Sequence, residues 1–288
     1  MRPEPQALTK ATTETMKTEA YAKVNLTLEV FGVRGDGYHA LRSIVAPISL
    51  SDTLEIEPSD GLSSDTGYPD DLILKAARAL DPSRGARFRV TKRIPAGGGL
   101  GGGSADAAAA LVALNEMWGL GRTREELAEI GAQVGSDVPA LVLGGPVIMT
   151  GRGEFVESVE CPRLDLVLVN PGINTSTREV YARTAVREEG GESATDACME
   201  ALESGEIGLI AESFANDLEA AACAMHPEIA GAMSALRAEG ALGVTMSGSG
   251  SSAFGIVESG SRAQEIALSL RGRGIAAWAV HTLGADMV

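Results

Sequence analysis

Several features are scarce in this 288-residue chain, and each scarcity narrows what the chain can be. Aromatic residues make up only 4%, so the sequence predicts a core of Ala, Val, Leu and Ile. No run of about 20 apolar residues is present, so we expect no membrane-spanning helix. The 3 cysteines lack metal-binding spacing, and the polar first 19 residues contain no apolar signal segment. We therefore expect a cytoplasmic protein in a reducing compartment.

Positive charge is scarce as well. The chain has 24 basic and 39 acidic side chains, a net charge of −15. Proteins that bind nucleic acids present a basic face, so no nucleic-acid partner is expected. An anionic ligand would need positive charge concentrated in one place. The lysines that could supply it are Lys10, Lys17, Lys23, Lys75 and Lys92.

The order of apolar and turn residues indicates a mixed α/β chain of two domains. We expect a disordered arm over residues 1–19, a first domain over 20–158 and a second over 159–288. Strands are predicted over 20–33, 43–50, 53–57, 88–92, 164–169, 244–246, 253–257 and 276–282. Helices are predicted over 71–80, 104–118, 123–135, 177–188, 195–203, 207–224, 227–239 and 262–271.

Glycine, by contrast, is abundant, and six glycines surround Leu100 within residues 97–103. Glycine allows positive φ and lets backbone N–H groups converge. The following Ala-rich helix, with Ser104 as its predicted cap, adds unpaired N–H groups and a favourable dipole. The run predicts a cradle for a di- or triphosphate, and the alternative is a flexible or tightly packed loop.

Two other phosphate-binding loops fit the glycine run less well. The chain contains no Gly-Lys pair, which a Walker A loop requires. A dinucleotide fingerprint matches formally at Gly97, Gly99 and Gly102. A run of glycines satisfies almost any glycine spacing, so this match carries little weight.

The segment Ala22-Lys23-Val24-Asn25 contains two polar side chains on a predicted strand. Alternation places Lys23, Asn25 and Thr27 on one face, where an ammonium and an amide could meet a ligand. Spacing alone favours the alternative, which is a solvated strand face.

Asp137 lies between a predicted helix end and Pro139. A carboxylate here could accept a proton from a hydroxyl group, as in phosphoryl transfer. The alternative is a helix N-cap, which is a common role for aspartate and the simpler interpretation of this segment alone.

Two further segments could contact a ligand. Tyr38 and His39 follow a glycine turn and offer a stacking face and ring nitrogens. The Ser/Gly turn over 247–252 could touch phosphate through hydroxyl and N–H groups, or could be a plain turn.

Taken together in this order, these segments resemble the GHMP kinase superfamily over nearly the whole span 21–257. Within it, they are most similar to the members that phosphorylate a cytidyl-diphosphate-linked methylerythritol in non-mevalonate isoprenoid synthesis. The resemblance implies a two-domain α/β (α+β) fold. The first domain would be like the second domain of a ribosomal protein, the second would be ferredoxin-like, and the active site would lie between them.

The resemblance also implies roles for individual residues. Asp137 matches the catalytic base and Lys23 its partner. The residues implied in ATP binding are Lys92, Pro95, Ala96, Gly97, Gly98, Gly99, Leu100, Gly101, Gly102, Gly103, Ser104 and Ala105. The residues implied in substrate binding are Asn25, Tyr38, His39, Thr177, Tyr181, Gly248 and Ser249. Tyr38 would stack on cytosine and His39 would read its edge.

ATP is the implied co-substrate, and Mg²⁺ is expected from the chemistry although the sequence shows no metal-binding cluster. Asp106 stands where many members have asparagine, and we expect it to point away from the phosphates. A kinase for another small alcohol, of the homoserine or mevalonate class, stays open, as does a non-catalytic nucleotide-binding module. The oligomeric state stays open between monomer and dimer.

Overall fold

The computed structural model describes residues 15–35, 37–188 and 191–285, and it contains two β-sheets. The first sheet comprises eight strands: β1 (Met16–Asn25), β2 (Thr27–Val33), β3 (His39–Pro58), β4 (Leu62–Ser64), β5 (Ala86–Thr91), β6 (Val147–Gly151), β7 (Phe155–Ser158) and β9 (Ala215–Asn216). The second is antiparallel, and along its width it consists of β10 (Leu242–Met246), β11 (Ala253–Val257), β8 (Asp165–Asn170) and β12 (Ala276–His281).

Ten helices accompany the sheets in the described part of the chain. They are α1 (Leu72–Leu80), α2 (Gly102–Met117), α3 (Arg124–Gly131), α4 (Val138–Leu143), α5 (Thr177–Arg183), α6 (Ala194–Ser204), α7 (Ile207–Ser213), α8 (Glu219–Met225), α9 (Pro227–Ala238) and α10 (Gly260–Gly272). None of these helices is both long and apolar enough to cross a bilayer.

Local sequence explains several of the helix starts. The side chain of Asp71 accepts a hydrogen bond from the N–H of Ile73, which starts α1 where the sequence predicts it. Thr123 and Glu126 form the predicted capping box of α3.

The predicted cap of α2 is wrong. The helix starts at Gly102, two residues before Ser104, and its N-cap is Gly101 with a φ of 68°. Glycine adopts this left-handed conformation without steric cost, so the chain enters the helix earlier than a serine cap would allow.

Strand boundaries differ from the predictions in ways that matter for the site. The predicted strand over 20–33 is interrupted at Leu26, which separates β1 from β2. The strands predicted over 43–50 and 53–57 are one long strand, β3, because the polar pair Ser51 and Asp52 continues the pairing with β1. The predicted arm over 1–19 lies mostly outside the described residues, but 16–19 belong to β1.

Helix boundaries in the second half of the chain also differ from the predicted ones. The helix predicted over 207–224 is two helices, since residues 215–216 form β9 and pair with β2 of the first sheet. The helix predicted over 177–188 ends at Arg183. The last strand of the first half, β7, ends at Ser158, and β8 begins the second sheet at Asp165. The domain division at 158 stays a prediction.

Aliphatic residues build the core, as the composition indicates. Helix α2 packs against α1 and β1 and contributes seven buried residues that are alanine or leucine, namely Ala105, Ala107, Ala108, Ala110, Leu111, Ala113 and Leu114. The small alanines let the helix lie close to the sheet. This packing fixes the N-terminus of α2, and with it the glycine run, against the end of β1.

Candidate active site

A cavity of about 870 Å³ lies where the two halves of the chain meet. Its wall contains parts of β1, the glycine run, the start of α5 and the Ser/Gly turn. Most of the predicted site residues are brought together here: Lys23, Asn25, Tyr38, His39, Gly97, Gly99, Gly101, Ser104, Asp137, Thr177, Tyr181, Gly248 and Ser249. A cavity of this size can hold a substrate with several polar groups.

An ion pair lies in this cavity. Lys23 Nζ is 3.6 Å from Asp137 Oδ2, and the lysine side chain is only 4% exposed. The solvated-face interpretation of Lys23 and Asn25 is therefore wrong, because both residues are buried. Lys23 Nζ also donates a hydrogen bond to Asn25 Oδ1 at 2.6 Å.

Asp137 does not act as a helix cap. It precedes α4, but its backbone is already helical and its side chain makes no capping hydrogen bond. Its side chain is 30% exposed, and the carboxylate is directed at Lys23. A carboxylate that is not used for capping, is paired with a buried cation and lies in a cavity is placed to accept a proton.

The glycine run wraps around the N-terminus of α2 with positive φ values at Gly97, Gly99 and Gly101. A side chain at Gly99 would collide with the carbonyl oxygen of Ser247. Backbone that alternates between left- and right-handed conformations directs successive N–H groups into one concavity. Together with the N–H groups of the first turn of α2, the run offers a concave surface of backbone donors, which is what binding of an anion requires.

A second cavity of about 440 Å³ lies on the other side of this run. Its wall contains residues 66 and 68–73, Lys92 and the glycine run up to Ser104, together with Asp106. Pro95 and Ala96 line this cavity, and Ala105 is buried in the core instead. The two cavities share the glycine run, as expected if a nucleotide lies on one side and the phosphoryl acceptor on the other.

Lys92 is already paired with two carboxylates. Its Nζ lies 2.5 Å from Asp52 Oδ2 and 2.7 Å from Asp106 Oδ2. Asp106 thus points to Lys92 and is buried. It lines the second cavity together with Lys92, so the expectation that it turns away from the phosphates stays a prediction. The positive charge of Lys92 is thus already balanced by carboxylates of the chain itself. Its role in ATP binding stays a prediction.

We expect this cluster to make stability depend on pH. Burial raises the pKa of Asp106 from 3.8 to about 7, against the opposing attraction of Lys92. The folded chain therefore binds this proton more tightly than the unfolded chain. The resulting stabilisation is present below about pH 4 and is lost as the pH rises to about 7.

Urea unfolding at pH 5 and pH 8 checks this expectation. The free energy of unfolding of Asp106→Asn, relative to that of wild type, should be about 2 kcal/mol higher at pH 8 than at pH 5. The reason is that Asp106 ionises over this range in the wild type, whereas asparagine does not ionise. Asp81→Asn is the control: hydrogen bonds from Ser83 lower the pKa of Asp81, so its effect should be equal at both pH values. The same difference at both pH values for Asp106→Asn would contradict the expectation.

An aromatic group forms the far wall of the larger cavity. The rings of His39 and Tyr181 lie 5.5 Å apart, and Tyr38 is at the rim with 55% exposure. Burial, with a contribution from Asp137, raises the pKa of Tyr181 to about 12. Its hydroxyl therefore keeps its proton and can donate to a ligand.

The Ser/Gly turn joins the glycine run to the second half of the chain. Ser247 Oγ donates to the carbonyl of Gly99 at 2.9 Å, and the N–H of Ser252 donates to the carbonyl of Gly98 at 3.0 Å. The hydroxyls of Ser249 and Thr177 are 2.8 Å apart. Through these contacts the turn links the glycine run to α5, the helix that carries Tyr181. Contact of Gly248 and Ser249 with a ligand stays a prediction.

Sequence reasoning missed two arginines of the cavity. Arg152 and Arg178 both line it, and the Arg152 guanidinium lies 5.3 Å from the centre of the Tyr38 ring. Arg152 stands between two glycines, Gly151 and Gly153, a tight-turn context that could have drawn attention to it. With Lys23, they concentrate positive charge in the cavity of a strongly acidic chain.

No group of three or more His, Cys, Asp or Glu side chains within 15–35, 37–188 and 191–285 could hold a metal ion. Oxygen donors at the glycine run include the Ser104 hydroxyl and the Asp137 carboxylate, both of which line the cavity. Mg²⁺ needs only one or two protein ligands when phosphate oxygens supply the rest, so these residues fit the ion expected from the chemistry.

Comparison with known proteins places this geometry in a family. The family described as GHMP kinases N terminal domain matches residues 71–145, and GHMP kinases C terminal matches residues 198–276. A 4-diphosphocytidyl-2-C-methyl-D-erythritol kinase from Geobacillus thermodenitrificans is 39% identical over 93% of this chain and 97% of its own length. The protein of the same name from Pelotomaculum thermopropionicum is 41% identical over 88% and 92%.

Solved structures agree with these matches. A crystal structure of 4-(cytidine 5'-diphospho)-2C-methyl-D-erythritol kinase superposes with a TM-score of 0.80 at 39% identity, covering 93% of this chain and all of the other. The homoserine kinase from Cytophaga hutchinsonii has a TM-score of 0.75 at 18% identity, covering 99% and 97%, and shares the fold. The two-domain fold implied by the resemblance is thereby confirmed, and the chain belongs to the GHMP kinase family.

Proposed function

We propose that the chain transfers the γ-phosphoryl group of ATP to the 2-hydroxyl of 4-diphosphocytidyl-2-C-methyl-D-erythritol. The products are the 2-phosphate and ADP, and the reaction serves non-mevalonate isoprenoid precursor synthesis. The observation that carries the proposal is the Lys23–Asp137 ion pair between an anion-binding loop and an aromatic wall. Relatives at about 39–41% identity that are named 4-diphosphocytidyl-2-C-methyl-D-erythritol kinase support the choice of substrate.

In the proposed reaction the 2-hydroxyl oxygen attacks the γ-phosphorus, and the bond to the β-phosphate oxygen breaks. Asp137 accepts the hydroxyl proton. The Lys23 ammonium and the N–H groups of the glycine run stabilise the charge on the transferred group, which is the main contribution in phosphoryl transfer. When bound, Mg²⁺ would neutralise phosphate charge, with the Ser104 hydroxyl as the candidate ligand, because Asp137 takes the proton.

The aromatic wall suits a cytosine base. His39 Nδ1 lies 3.2 Å from the carbonyl of Phe31, and a carbonyl can only accept, so Nδ1 donates. In neutral His39 the other ring nitrogen, Nε2, then accepts, and it can receive the amino group of cytosine. Tyr38 and Tyr181 provide ring faces for stacking on either side.

The charge of the cavity suits the diphosphate of this substrate. Its charged lining residues are the cations Lys23, Arg152 and Arg178 and the anion Asp137. We place the reaction in the cytoplasm, which agrees with the free thiols of Cys161, Cys198 and Cys223. Every residue to which the mechanism assigns a role belongs to one chain, so the mechanism does not choose between a monomer and a dimer.

An ADP-release assay with a panel of alcohols tests the function. We expect turnover with the cytidyl-diphosphate substrate and at most traces with homoserine or mevalonate. Efficient turnover of one of these smaller alcohols would favour that class instead. No turnover of any alcohol, together with ATP binding, would favour a non-catalytic nucleotide-binding module.

Tyr38→Ala separates base recognition from nucleotide binding. Loss of base stacking should weaken binding of the cytidyl-diphosphate substrate by about 1–3 kcal/mol, with ATP affinity unchanged. Calorimetric titration with each ligand measures both affinities. Tyr68→Ala, which removes an exposed tyrosine at the other cavity, is a comparison that should spare binding of the cytidyl substrate. An unchanged substrate affinity in Tyr38→Ala would contradict stacking on Tyr38.

A further inference from the structure

Ser43 lines the larger cavity, although nothing in its sequence context singles it out. It lies on β3, is 1% exposed and pairs with Met149 of β6. Its hydroxyl is 2.8 Å from Asn25 Nδ2 and 2.5 Å from the carbonyl oxygen of Thr27. A buried serine between an amide and a carbonyl has a fixed hydrogen-bond direction.

That direction follows from the number of protons available. A carbonyl oxygen only accepts, so the single hydroxyl proton of Ser43 points to Thr27. Toward Asn25 the hydroxyl can then only accept, and the NH₂ group of Asn25 must face it. The Asn25 side chain is thereby oriented with its oxygen on the opposite side, 2.6 Å from Lys23 Nζ.

The backbone irregularity at Leu26 makes this arrangement possible. Asn25 pairs with Val45 in one register and Glu29 pairs with Arg42 in another, shifted by one residue, as in a β-bulge. Within the shift, the N–H of Ile44 bonds to Thr27 Oγ1 instead of a backbone carbonyl. The Thr27 carbonyl is thus presented to a side chain, and Ser43 meets it.

The chain of contacts ends at the reacting groups. Lys23 donates to Asn25 on one side and lies 3.6 Å from Asp137 on the other. If Asn25 turned over, its NH₂ group would face the ammonium, donor against donor, and Lys23 would be displaced. Its displacement would separate the cation from both Asp137 and the glycine run.

We propose that Ser43 is a positioning residue, which orients Asn25 so that the Lys23 ammonium is held at the site of phosphoryl transfer. This inference rests on the proposed function, and it concerns a residue that would not itself touch the substrate. Because Ser43 acts through Asn25, its loss should matter only while Asn25 is present.

The test is a double-mutant cycle on kcat with a structure of the key variant. Ser43→Ala should lower kcat about tenfold or more, the scale of the hydrogen bond between Asn25 and the charged Lys23 that the variant should lose, and leave the Kd for ATP unchanged. In an Asn25→Ala background the same substitution should have no further effect. Ser43→Thr keeps the hydroxyl and should restore at least part of the activity.

Ser49→Ala is the matched control. Ser49 is also on β3, and its hydroxyl accepts from the N–H of His281 at 3.1 Å, away from the cavity. Its kcat should match wild type. If Ser43→Ala lowers kcat equally with and without Asn25, or not at all, the positioning role is wrong.

A crystal structure of Ser43→Ala gives a readout that does not depend on the substrate. It should show Lys23 Nζ moved away from Asn25 Oδ1, whatever alcohol the enzyme phosphorylates. An unchanged Lys23–Asn25 distance would overturn the inference even if the proposed reaction is correct. If the displacement is seen but the cytidyl substrate is not turned over, the proposed function fails and the positioning role stands.

Discussion

Asp137→Asn should lower kcat by two orders of magnitude or more, while the Kd values for ATP and for the cytidyl-diphosphate substrate stay near wild type. The substitution keeps the shape of the side chain but removes the proton acceptor, a loss in the range of general-base catalysis. Lys23→Ala should be similarly severe. The double variant should be little worse than the poorer single one, because the two residues act as a unit.

A steady-state ADP-release assay measures kcat, and calorimetry measures the Kd values of the two ligands. Asp165→Asn is the control for loss of one carboxylate, since Asp165 lies on β8 outside both cavities. A helix-cap aspartate would tolerate asparagine, which caps about equally well. Near-normal turnover in Asp137→Asn would therefore show that the carboxylate has no part in the chemistry.

Gly101→Ala should weaken ATP binding by tenfold or more. Gly101 has a φ of 68°, a conformation that costs an L-residue roughly 1–2 kcal/mol. Its added Cβ would lie 3.1 Å from Lys23 Cγ and 3.5 Å from Asp137 Oδ2, so it also disturbs the ion pair. Both the shape of the loop and the position of Lys23 would change.

The matched substitution is Gly103→Ala, two residues along the same run. Gly103 lies within α2, and its added Cβ would meet only Leu72 Cδ1 at 3.5 Å, an ordinary contact. Alanine favours helix over glycine by up to about 1 kcal/mol, so this variant should fold at least as well. If calorimetry gives the two variants the same ATP affinity, the loop geometry is not what binds the nucleotide.

The sequence indicated the site well where local chemistry is decisive. The glycine run needs positive φ at defined positions, and such a requirement is visible in composition and spacing alone. Lys23 and Asn25 stood out because a charged and an amide side chain interrupt an apolar alternation. The resemblance then joined these segments to Asp137 and Tyr38, which spacing alone left undecided.

What the sequence could not show depends on contacts between distant segments. Spacing alone favours a helix cap as the role of Asp137. What argues against that role is the contact with Lys23, which lies more than 100 residues away in the sequence. Ser43 and Arg152 reach the cavity because the long strand β3 pairs with its neighbour β6 beside it, and Arg178 reaches it from α5. The break at Leu26 is likewise a register shift, which alternation of apolar residues does not reveal.

The measurement that tests the central claim most directly is phosphorus NMR of the purified chain with ATP, Mg²⁺ and the cytidyl-diphosphate alcohol. We expect a new monophosphate resonance from phosphate on the tertiary 2-hydroxyl and one equivalent of ADP, while the diphosphate signal of the substrate stays intact. With Asp137→Asn, both products should form about a hundredfold or more slowly, and the diphosphate signal should be unchanged. ADP formed without that resonance, or phosphate carried on another hydroxyl, would contradict the account.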